Sequence, residues 1–286
     1  VKGINMKKIN DDTYYVGVND HDIDLFEGQY VVPLGMAYNS YIIKDRQITI
    51  FDTVDKRFFK SWLKNIKEFL GKDKPSNLVI QHMEPDHSAN IINFLKEYPD
   101  TYLIGNVLTF KMIEQFFHID IKNKIVVKDN DSINIGKHNL IFIFAPMVHW
   151  PEVMFTYDSY SKTLFSADAF GKFGTNDVID PEGWECEARR YYFGIVGKFG
   201  LEVSNILKKA KELDIKVIAP LHGPILDRNL SYYLAKYDIW SSYASEDEGV
   251  AIFFTSVYGN TKEGVNYLVK EIKKNNYKNV FAYDLA

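Results

Sequence analysis

The sequence predicts a mixed α/β (α+β) chain: a four-layer αββα sandwich, with two facing sheets and helices outside, followed by a short second segment. Two β-rich stretches, residues 13–55 and 124–166, are separated and followed by segments of helical periodicity, a pattern typical of this layering. After a polar linker, the chain returns to an apolar strand and a new helix. We therefore expect one domain over residues 1–245 and the start of another over 246–286.

The composition is that of a globular protein and excludes some partners. Its 286 residues, 46% of them hydrophobic, are enough for one large core or two smaller ones. The formal charge of −4, without a basic block, argues against a nucleic-acid partner. No apolar run approaches the ~18 residues of a membrane span, so no membrane partner is expected. The single cysteine, Cys186, favours a cytoplasmic location, and Met6 is the expected native start.

The first β-rich stretch leads into a helix and then into a buried strand. Strand-like runs occupy residues 14–18, 38–44 and 47–51, with polar or Gly/Pro turns between them. Asp52 and Asp55 follow the last run, where an acid either caps a helix or contacts a functional site. Apolar residues recur at helical spacing from 58 to 70 and predict a helix that packs on the sheet.

The stretch after the next strand, residues 78–81, carries four metal-binding residue types within six positions: His82, Glu84, Asp86 and His87. In an extended loop the first three would point to one side and His87 to another. Ser88 is the expected N-cap of a helix that reaches residue 98. Imidazole and carboxylate offered twice in one loop favour two neighbouring metal ions. The alternative is a polar loop whose side chains only hydrogen-bond one another.

The middle of the chain predicts a strand at 101–105, a helix at 107–117, strands at 124–127, 132–135 and 140–144, and a hairpin of 153–157 with 163–166. A long helical region follows from residue 185 to about 213. Three of the apolar runs end in a further ligand type beside Gly or Pro, namely His149, Asp168 and His222. Nitrogen and oxygen ligands without a thiolate suit iron, manganese or zinc.

The order His-x-Glu-x-Asp-His, His, Asp, His resembles the flavodiiron proteins, whose first domain has the metallo-β-lactamase fold. Hydrolases of that fold usually carry His-x-His-x-Asp-His, and Glu84 replaces the second His here, as it does in the flavodiiron family. A carboxylate makes the site harder and more anionic, which favours iron. The resemblance covers residues 6–261 and implies one iron on His82, Glu84 and His149, another on Asp86, His87 and His222, and Asp168 as a bridge.

The last segment resembles the flavodoxin-type loop that binds the phosphate of FMN. An apolar strand at 250–254 is followed by Thr255, Ser256, Val257, Tyr258, Gly259, Asn260 and Thr261, and then by a helix. Backbone N–H groups at such a helix N-terminus can hold a phosphate. About 40 residues are fewer than the ~100 of a usual domain, so we expect only the first βαβ portion of a flavodoxin-like domain.

The resemblance also implies roles near the metals for a histidine and a tyrosine. His21 lies near the start of a region that family members place over the metal pocket, which implies a substrate-side role. Related proteins place a tyrosine from the region after residue 185 near the metals, so Tyr192 or Tyr191 is expected to hydrogen-bond a bound oxygen species. The alternative is a tyrosine in an aromatic core. His118 and His138 lie in polar connections and are expected to be solvated.

The resemblance implies a diiron oxidoreductase that reduces O2 to water, NO to nitrous oxide, or both, with electrons passed through FMN. It also implies a rubredoxin-like or flavoprotein electron donor and a head-to-tail homodimer in which the partner subunit supplies the flavin. The alternatives are a binuclear metal hydrolase and a scaffold without activity. The ligand set is the same for O2 and NO, so the sequence does not separate these substrates.

Overall fold

The computed structural model of the protein describes residues 7–286, and the expected start at Met6 lies outside the described residues. The chain divides into two compact units, one ending at Ser242 and the other spanning Tyr243–Ala286. The expected boundary at residue 245 lies close to this division. No helix within residues 7–286 combines the length and the apolar character that crossing a bilayer requires.

The first unit contains both sheets of the predicted sandwich. In chain order its strands are β1 (Thr13–Tyr15), β2 (Val18–Asp20), β3 (Leu25–Phe26), β4 (Tyr30–Val31), β5 (Met36–Tyr38), β6 (Tyr41–Ile43), β7 (Thr49–Phe51), β8 (Asn77–Val79), β9 (Tyr102–Gly105), β10 (Lys124–Val126), β11 (Ser132–Asn134), β12 (Asn139–Phe144), β13 (Met154–Asp158), β14 (Thr163–Phe165) and β15 (Val217–Ala219). Its α-helices are α1 (Phe59–Leu70), α2 (Pro85–Ser88), α3 (Ile91–Glu97), α4 (Val107–Phe117), α5 (Glu185–Tyr191), α6 (Gly200–Lys211) and α7 (Leu230–Ser241).

The two sheets have different strand directions. The first has the order β1-β6-β7-β8-β9-β10, antiparallel from β1 to β7 and parallel from β7 to β10. The second has the order β11-β12-β13-β14-β15 and is antiparallel except for the last pair. The β2–β5 and β3–β4 pairs form two small additional sheets. Parallel neighbours end at the same edge, so the loops after β7 and β8 start side by side.

The sheets pack face to face because successive strand residues point to opposite sides. Phe51 and Val79 lie in a core between the sheets, whereas their neighbours Ile50 and Leu78 lie in the core beneath the helices. Phe51 stacks on Phe165 of the second sheet with ring centroids 4.0 Å apart. Each fully buried side chain of this kind contributes ~1.5–3 kcal/mol. The αββα prediction is confirmed.

Two predicted helices have different bounds in the structure. The single helix expected from Ser88 is instead α2 and α3, because Pro85 occupies the first turn of α2 and fixes its φ there. Ser88 is therefore not an N-cap, and its Oγ donates a hydrogen bond to the carbonyl oxygen of Met83 at 2.7 Å. The long helix expected from residue 185 is broken by a π-helical turn at Tyr192–Val196 and a 3₁₀ turn at Gly197–Phe199.

The second unit contains β16 (Val250–Phe254), α8 (Asn260–Lys274) and β17 (Val280–Asp284). The two strands are parallel and pair from Val250 opposite Val280 to Phe254 opposite Asp284. This is the strand, loop, helix and strand order that the sequence predicts. Phe253 and Phe281 remain 64% and 55% exposed, so this two-stranded sheet buries little of its apolar surface.

Candidate metal centre

The end of β7 holds the first metal-binding loop in place. The buried carboxylate of Asp52 accepts the backbone N–H groups of Gln81 at 2.8 Å and His82 at 3.2 Å. Thr53 donates both its backbone N–H and its hydroxyl to the carbonyl oxygen of His87. Burial raises the pKa of Asp52 to about 6, although His87 and Gln81 act in the opposite direction. Asp52 therefore positions the loop instead of capping a helix.

The helical turn of α2 divides the loop between two clusters. Glu84 still has extended backbone angles, φ −56° and ψ 141°, and Pro85 then begins the turn. His82 and Glu84 consequently belong to one cluster, and Asp86 and His87 to another. The expectation that His82, Glu84 and Asp86 point to the same side is wrong, because the period of two ends at the helix.

The first cluster consists of His82, Glu84, His149 and Asp168. Oε2 of Glu84 lies 3.2 Å from Nε2 of His82 and 3.1 Å from Nε2 of His149. Nε2 of His149 is also 2.9 Å from Oδ2 of Asp168. The four side chains come from loops after β8, β12 and β14, so both sheets contribute to this cluster.

The second cluster consists of Asp86, His87 and His222. The Nε2 atoms of the two histidines are 3.0 Å apart, and Oδ2 of Asp86 lies 3.4 Å from that of His87 and 3.3 Å from that of His222. Oδ1 of Asp168 is 3.4 Å from Nε2 of His87. Asp168 thus directs one oxygen to each cluster, the arrangement of a bridging carboxylate.

Hydrogen bonds at the far nitrogens orient two of the imidazole rings. Nδ1 of His82 lies 2.9 Å from Oε1 of Glu152, and Nδ1 of His222 lies 2.7 Å from the carbonyl oxygen of Ala37. An Nδ1–H donated to these acceptors leaves the lone pair of Nε2 directed into the cluster. The sequence reasoning missed Glu152. Its signal is an acid three residues after a ligand histidine, in the same turn.

The buried carboxylates of the two clusters suit the binding of cations. Within the described residues, both carboxylate oxygens of Asp86 and of Asp168 are buried without a hydrogen-bond partner. Burial alone would lower the pKa of His149, but Asp168 and Glu84 raise it to about 9. Burial alone would raise the pKa of Asp168, but the charge of His82 holds it well below its usual range. Metal ions can replace the protons that this excess of carboxylate attracts, and the nitrogen and oxygen donors suit iron, manganese or zinc.

The structure places Tyr191, not Tyr192, beside these clusters. The ring of Tyr191 is 5.6 Å from that of His222, and its buried hydroxyl has no hydrogen-bond partner within residues 7–286. Burial and the charges of nearby carboxylates raise the pKa of Tyr191 well above its ordinary value. Tyr192 packs against Tyr237 and Trp240, with centroids 5.1 and 5.4 Å apart. Consecutive helical residues point ~100° apart, so only one of the two can face the metals.

His21 and His138 differ from their expected surroundings. His21 is half exposed, lies 3.2 Å from Asp177, and lines a cavity of about 520 Å³ with Tyr15. Within the described chain, none of its hydrogen bonds reaches the proposed ligands, so a substrate-side role has no contact to support it. His138 was expected to be solvated, which is wrong: it is fully buried, with Nδ1 2.6 Å from Asp158.

The loop of the second unit leads into a helix N-terminus, as the sequence predicts for a phosphate-binding loop. It runs from β16 to the N-terminus of α8, where Gly259 has a φ of +89°. Ser256 Oγ accepts the backbone N–H of Lys262 at 3.3 Å, and Val257 and Tyr258 are 86% and 92% exposed. Free N–H groups at a helix N-terminus attract phosphate. Within Tyr243–Ala286 this is the one loop of that kind.

Comparisons with known proteins agree with this geometry. A sequence model of the family described as "ODP family beta lactamase" matches residues 36–223. The flavo-diiron protein FprA2 of Clostridium acetobutylicum is 32% identical, covering 93% of this chain and 69% of that protein. The anaerobic nitric oxide reductase flavorubredoxin of Vibrio vulnificus is 30% identical, covering 89% and 53%.

A solved structure has the same fold over nearly the whole chain. The rubredoxin oxygen:oxidoreductase of Desulfovibrio gigas superposes with a TM-score of 0.89 at 25% identity, covering 97% of this chain and 71% of that chain. This chain spans about half the length of several curated relatives that it matches, with 45% and 47% covered in two of them.

Proposed function

The chain belongs to the flavodiiron protein family, and on that basis we propose that its first unit holds two iron ions and reduces O2 to water, NO to nitrous oxide, or both. The observation that carries the proposal is Asp168, which directs one carboxylate oxygen to each cluster. Glu84 stands where hydrolases of this fold carry histidine and favours iron over zinc. The proposed ligands are His82, Glu84, His149 and Asp168 for one ion and Asp86, His87, His222 and Asp168 for the other.

When bound, the iron pair supplies electrons through its ferrous and ferric states and open positions for a diatomic gas. The residues of the chain fix its surroundings. The rings of Phe26 and Tyr38 lie edge-on to His222, with centroids 5.4 and 5.8 Å away, and shield this imidazole from water. Of the two tyrosines that the resemblance offers for this role, we place the hydroxyl of Tyr191 beside the reacting gas as the donor. Such a buried donor stabilises developing negative charge.

Repeated turnover needs electrons from outside the metal pair. Two irons store two electrons, which is enough to couple two NO molecules, whereas reduction of O2 to water needs four. We propose that FMN supplies the remainder, with its phosphate on the loop from Thr255 to Thr261. In a head-to-tail homodimer, the flavin on the loop of one subunit would serve the metal pair of the other subunit, and a separate flavoprotein is the other possible source.

The names of the relatives support both the donor and the substrates. The Vibrio protein is named a nitric oxide reductase flavorubredoxin, and the Desulfovibrio protein a rubredoxin oxygen:oxidoreductase. We therefore propose a rubredoxin-like electron donor and a cytoplasmic location, the latter on the single cysteine Cys186.

A single addition of gas tests the reaction without the flavin. Anaerobic protein loaded with Fe²⁺ should form one nitrous oxide per two irons after NO is added, measured by gas chromatography, and then stop. Absence of nitrous oxide from protein that contains two irons would contradict the proposal for NO. O2 consumption by the same protein, limited to one O2 reduced to water per four irons, tests the other substrate. Fast steady turnover with no flavoprotein added would contradict the FMN requirement. Ester hydrolysis by zinc-loaded protein would favour the hydrolase alternative.

A further inference from the structure

The two proposed metal positions have matched ligands but unequal surroundings. Each cluster provides two imidazoles, one carboxylate of its own and one oxygen of Asp168. The ligand types therefore give neither position a higher affinity. A difference in affinity must come from the groups that hold the imidazole rings.

A buried carboxylate supports the first position. Oε1 of Glu152 lies 2.9 Å from Nδ1 of His82 and accepts the backbone N–H of Met83 at 2.7 Å. Glu152 is fully buried, and its Oε2 has no hydrogen-bond partner in the described part of the chain. A carboxylate that accepts an imidazole N–H makes the opposite nitrogen a stronger electron donor, and adds a negative charge close to the metal position.

In the described residues, no carboxylate accepts a hydrogen bond from Nδ1 of either histidine at the second position. Nδ1 of His222 lies 2.7 Å from the carbonyl oxygen of Ala37, which fixes the ring without adding a charge. Nδ1 of His87 is buried and has no hydrogen-bond partner within residues 7–286. The imidazoles of this position therefore receive less electron density from their far side than His82 does.

We propose that Glu152 is a positioning residue that makes the His82 position the tighter of the two metal sites, so that it fills first and empties last. The inference rests on the proposed pair of metal ions but not on the reaction that they perform. Loss of a carboxylate that supports a metal-binding histidine lowers metal affinity by about 10–100-fold. Without Glu152 the two positions become similar in affinity.

Metal titration tests the proposal directly. The metal-free protein is titrated with Co²⁺ and followed by calorimetry and visible absorption, and two binding phases of different affinity are expected. The E152Q variant keeps an acceptor oxygen but loses the charge, so it should weaken the tighter phase by about 10–100-fold and leave the weaker phase unchanged. E152D keeps the charge on a shorter side chain, so it should weaken the tighter phase alone and by less than E152Q does.

A matched control separates the charge of Glu152 from support of the loop. S88A removes the 2.7 Å hydrogen bond to the Met83 carbonyl in the same loop but keeps the carboxylate, so both phases should remain as in the parent protein. In zinc-loaded protein, the imidazole N–H resonance of His82 should lie far downfield. It should move upfield in E152Q, return in E152D and stay in place in S88A.

Three results would overturn the proposal: two equal phases in the parent protein, no change in E152Q, or equal weakening of both phases. If E152Q does not fold, E152D decides, since its shorter side chain should weaken the tighter phase alone, and a uniform or absent effect overturns the proposal. Because the titration uses neither O2 nor NO, failure of the reductase activity would not affect this result.

Discussion

Asp168 is the residue that both proposed metal positions share. Its side chain is fully buried, with Oδ2 2.9 Å from His149 and Oδ1 3.4 Å from His87. A buried negative charge is costly unless positive groups face it. In the metal-free chain His149, whose pKa is raised to about 9, is one such group, and metal ions would take this role in the loaded chain.

Asp168→Asn should therefore weaken both positions. We expect the second metal equivalent to be lost and the first to bind at least about tenfold more weakly, because the amide carries no charge to share between two cations. The measurement is iron content after anaerobic loading and desalting. Asp177→Asn, which neutralises an exposed carboxylate beside His21, should retain both irons. Parent-like binding by Asp168→Asn would contradict the bridging role.

We expect Glu84 to determine which metal the first position prefers. Replacing it with histidine restores the pattern of the hydrolases, so Glu84→His should shift the preference from Fe²⁺ towards Zn²⁺ by about tenfold, or about 1.4 kcal/mol. Elemental analysis after loading with an equal mixture of both metals measures the shift. Glu84→Asp keeps a carboxylate and should keep the preference of the parent protein. An unchanged ratio in Glu84→His would argue against the reason given for iron.

Tyr191 and Tyr192 form a matched pair for testing the proposed donor. Tyr191→Phe removes the hydroxyl beside His222 and should slow nitrous oxide formation by iron-loaded protein about tenfold or more, with metal content unchanged. Tyr192→Phe removes a hydroxyl in the cluster with Tyr237 and Trp240 and should retain the rate. The reverse result would return the role to Tyr192, as the sequence suggested.

At the scale of elements, the sequence predicts which segments carry ligands but not how each segment turns. Four ligand types within six residues identify the loop after β8 by composition alone. The short helix α2, which sends Asp86 away from His82 and Glu84, depends on Pro85 and on hydrogen bonds from distant residues such as Thr53. The π-helical turn that begins at Tyr192 likewise departs from regular helical spacing, so the sequence pattern does not decide whether Tyr191 or Tyr192 faces the metals.

His138 connects the hairpin of β11 and β12 to three surrounding aspartates. These surroundings predict that the stability of the folded state depends on pH. Its Nδ1 is 2.6 Å from Asp158, its Nε2 is 3.2 Å from Asp12, and its backbone N–H donates to Asp45 at 2.8 Å. Burial alone would lower the pKa of His138, but these carboxylates raise it above its ordinary value. The folded state thus binds this proton more tightly than the unfolded state does.

This stabilisation should be complete below the unfolded pKa of about 6.5 and be lost as the pH rises through the higher folded pKa. His138→Gln should lower the free energy of unfolding by about 1.5–3 kcal/mol at pH 6 and by less at pH 9. Urea unfolding of both metal-free proteins measures it. The metal-site histidines are the same in parent and variant, so the difference between the two proteins isolates His138. An equal loss at both pH values would contradict the linkage.

At the scale of the whole molecule, the sandwich can be predicted because the apolar pattern of each strand lies within a few consecutive residues. Short continuous apolar runs, such as the one that contains Ile50 and Phe51, indicate strands that are buried on both faces. Contacts that depend on tertiary arrangement are not predictable in this way. The carbonyl oxygen of Ala37 that orients His222 lies 185 residues away in the chain. Because every residue has a backbone carbonyl, nothing in the sequence marks this one for the role.

The division into two units predicts that metal binding belongs to the first alone. All seven proposed ligands lie between His82 and His222, so a chain ending at Ser242 should bind two metal equivalents with the affinities of the full chain. Titration of both proteins with Co²⁺ measures this. Weaker binding by the shorter chain would show that residues 243–286 contribute to the metal centre.

Both metal positions draw side chains from both sheets, and His87 and His222 are 135 residues apart. The second cluster is complete only after His222 has been synthesised, so an ion that arrives earlier finds only partial coordination there. Binding of a second ion must then follow closure of the sandwich. A cell starved of iron would accumulate finished but empty polypeptide that later additions of the metal can activate.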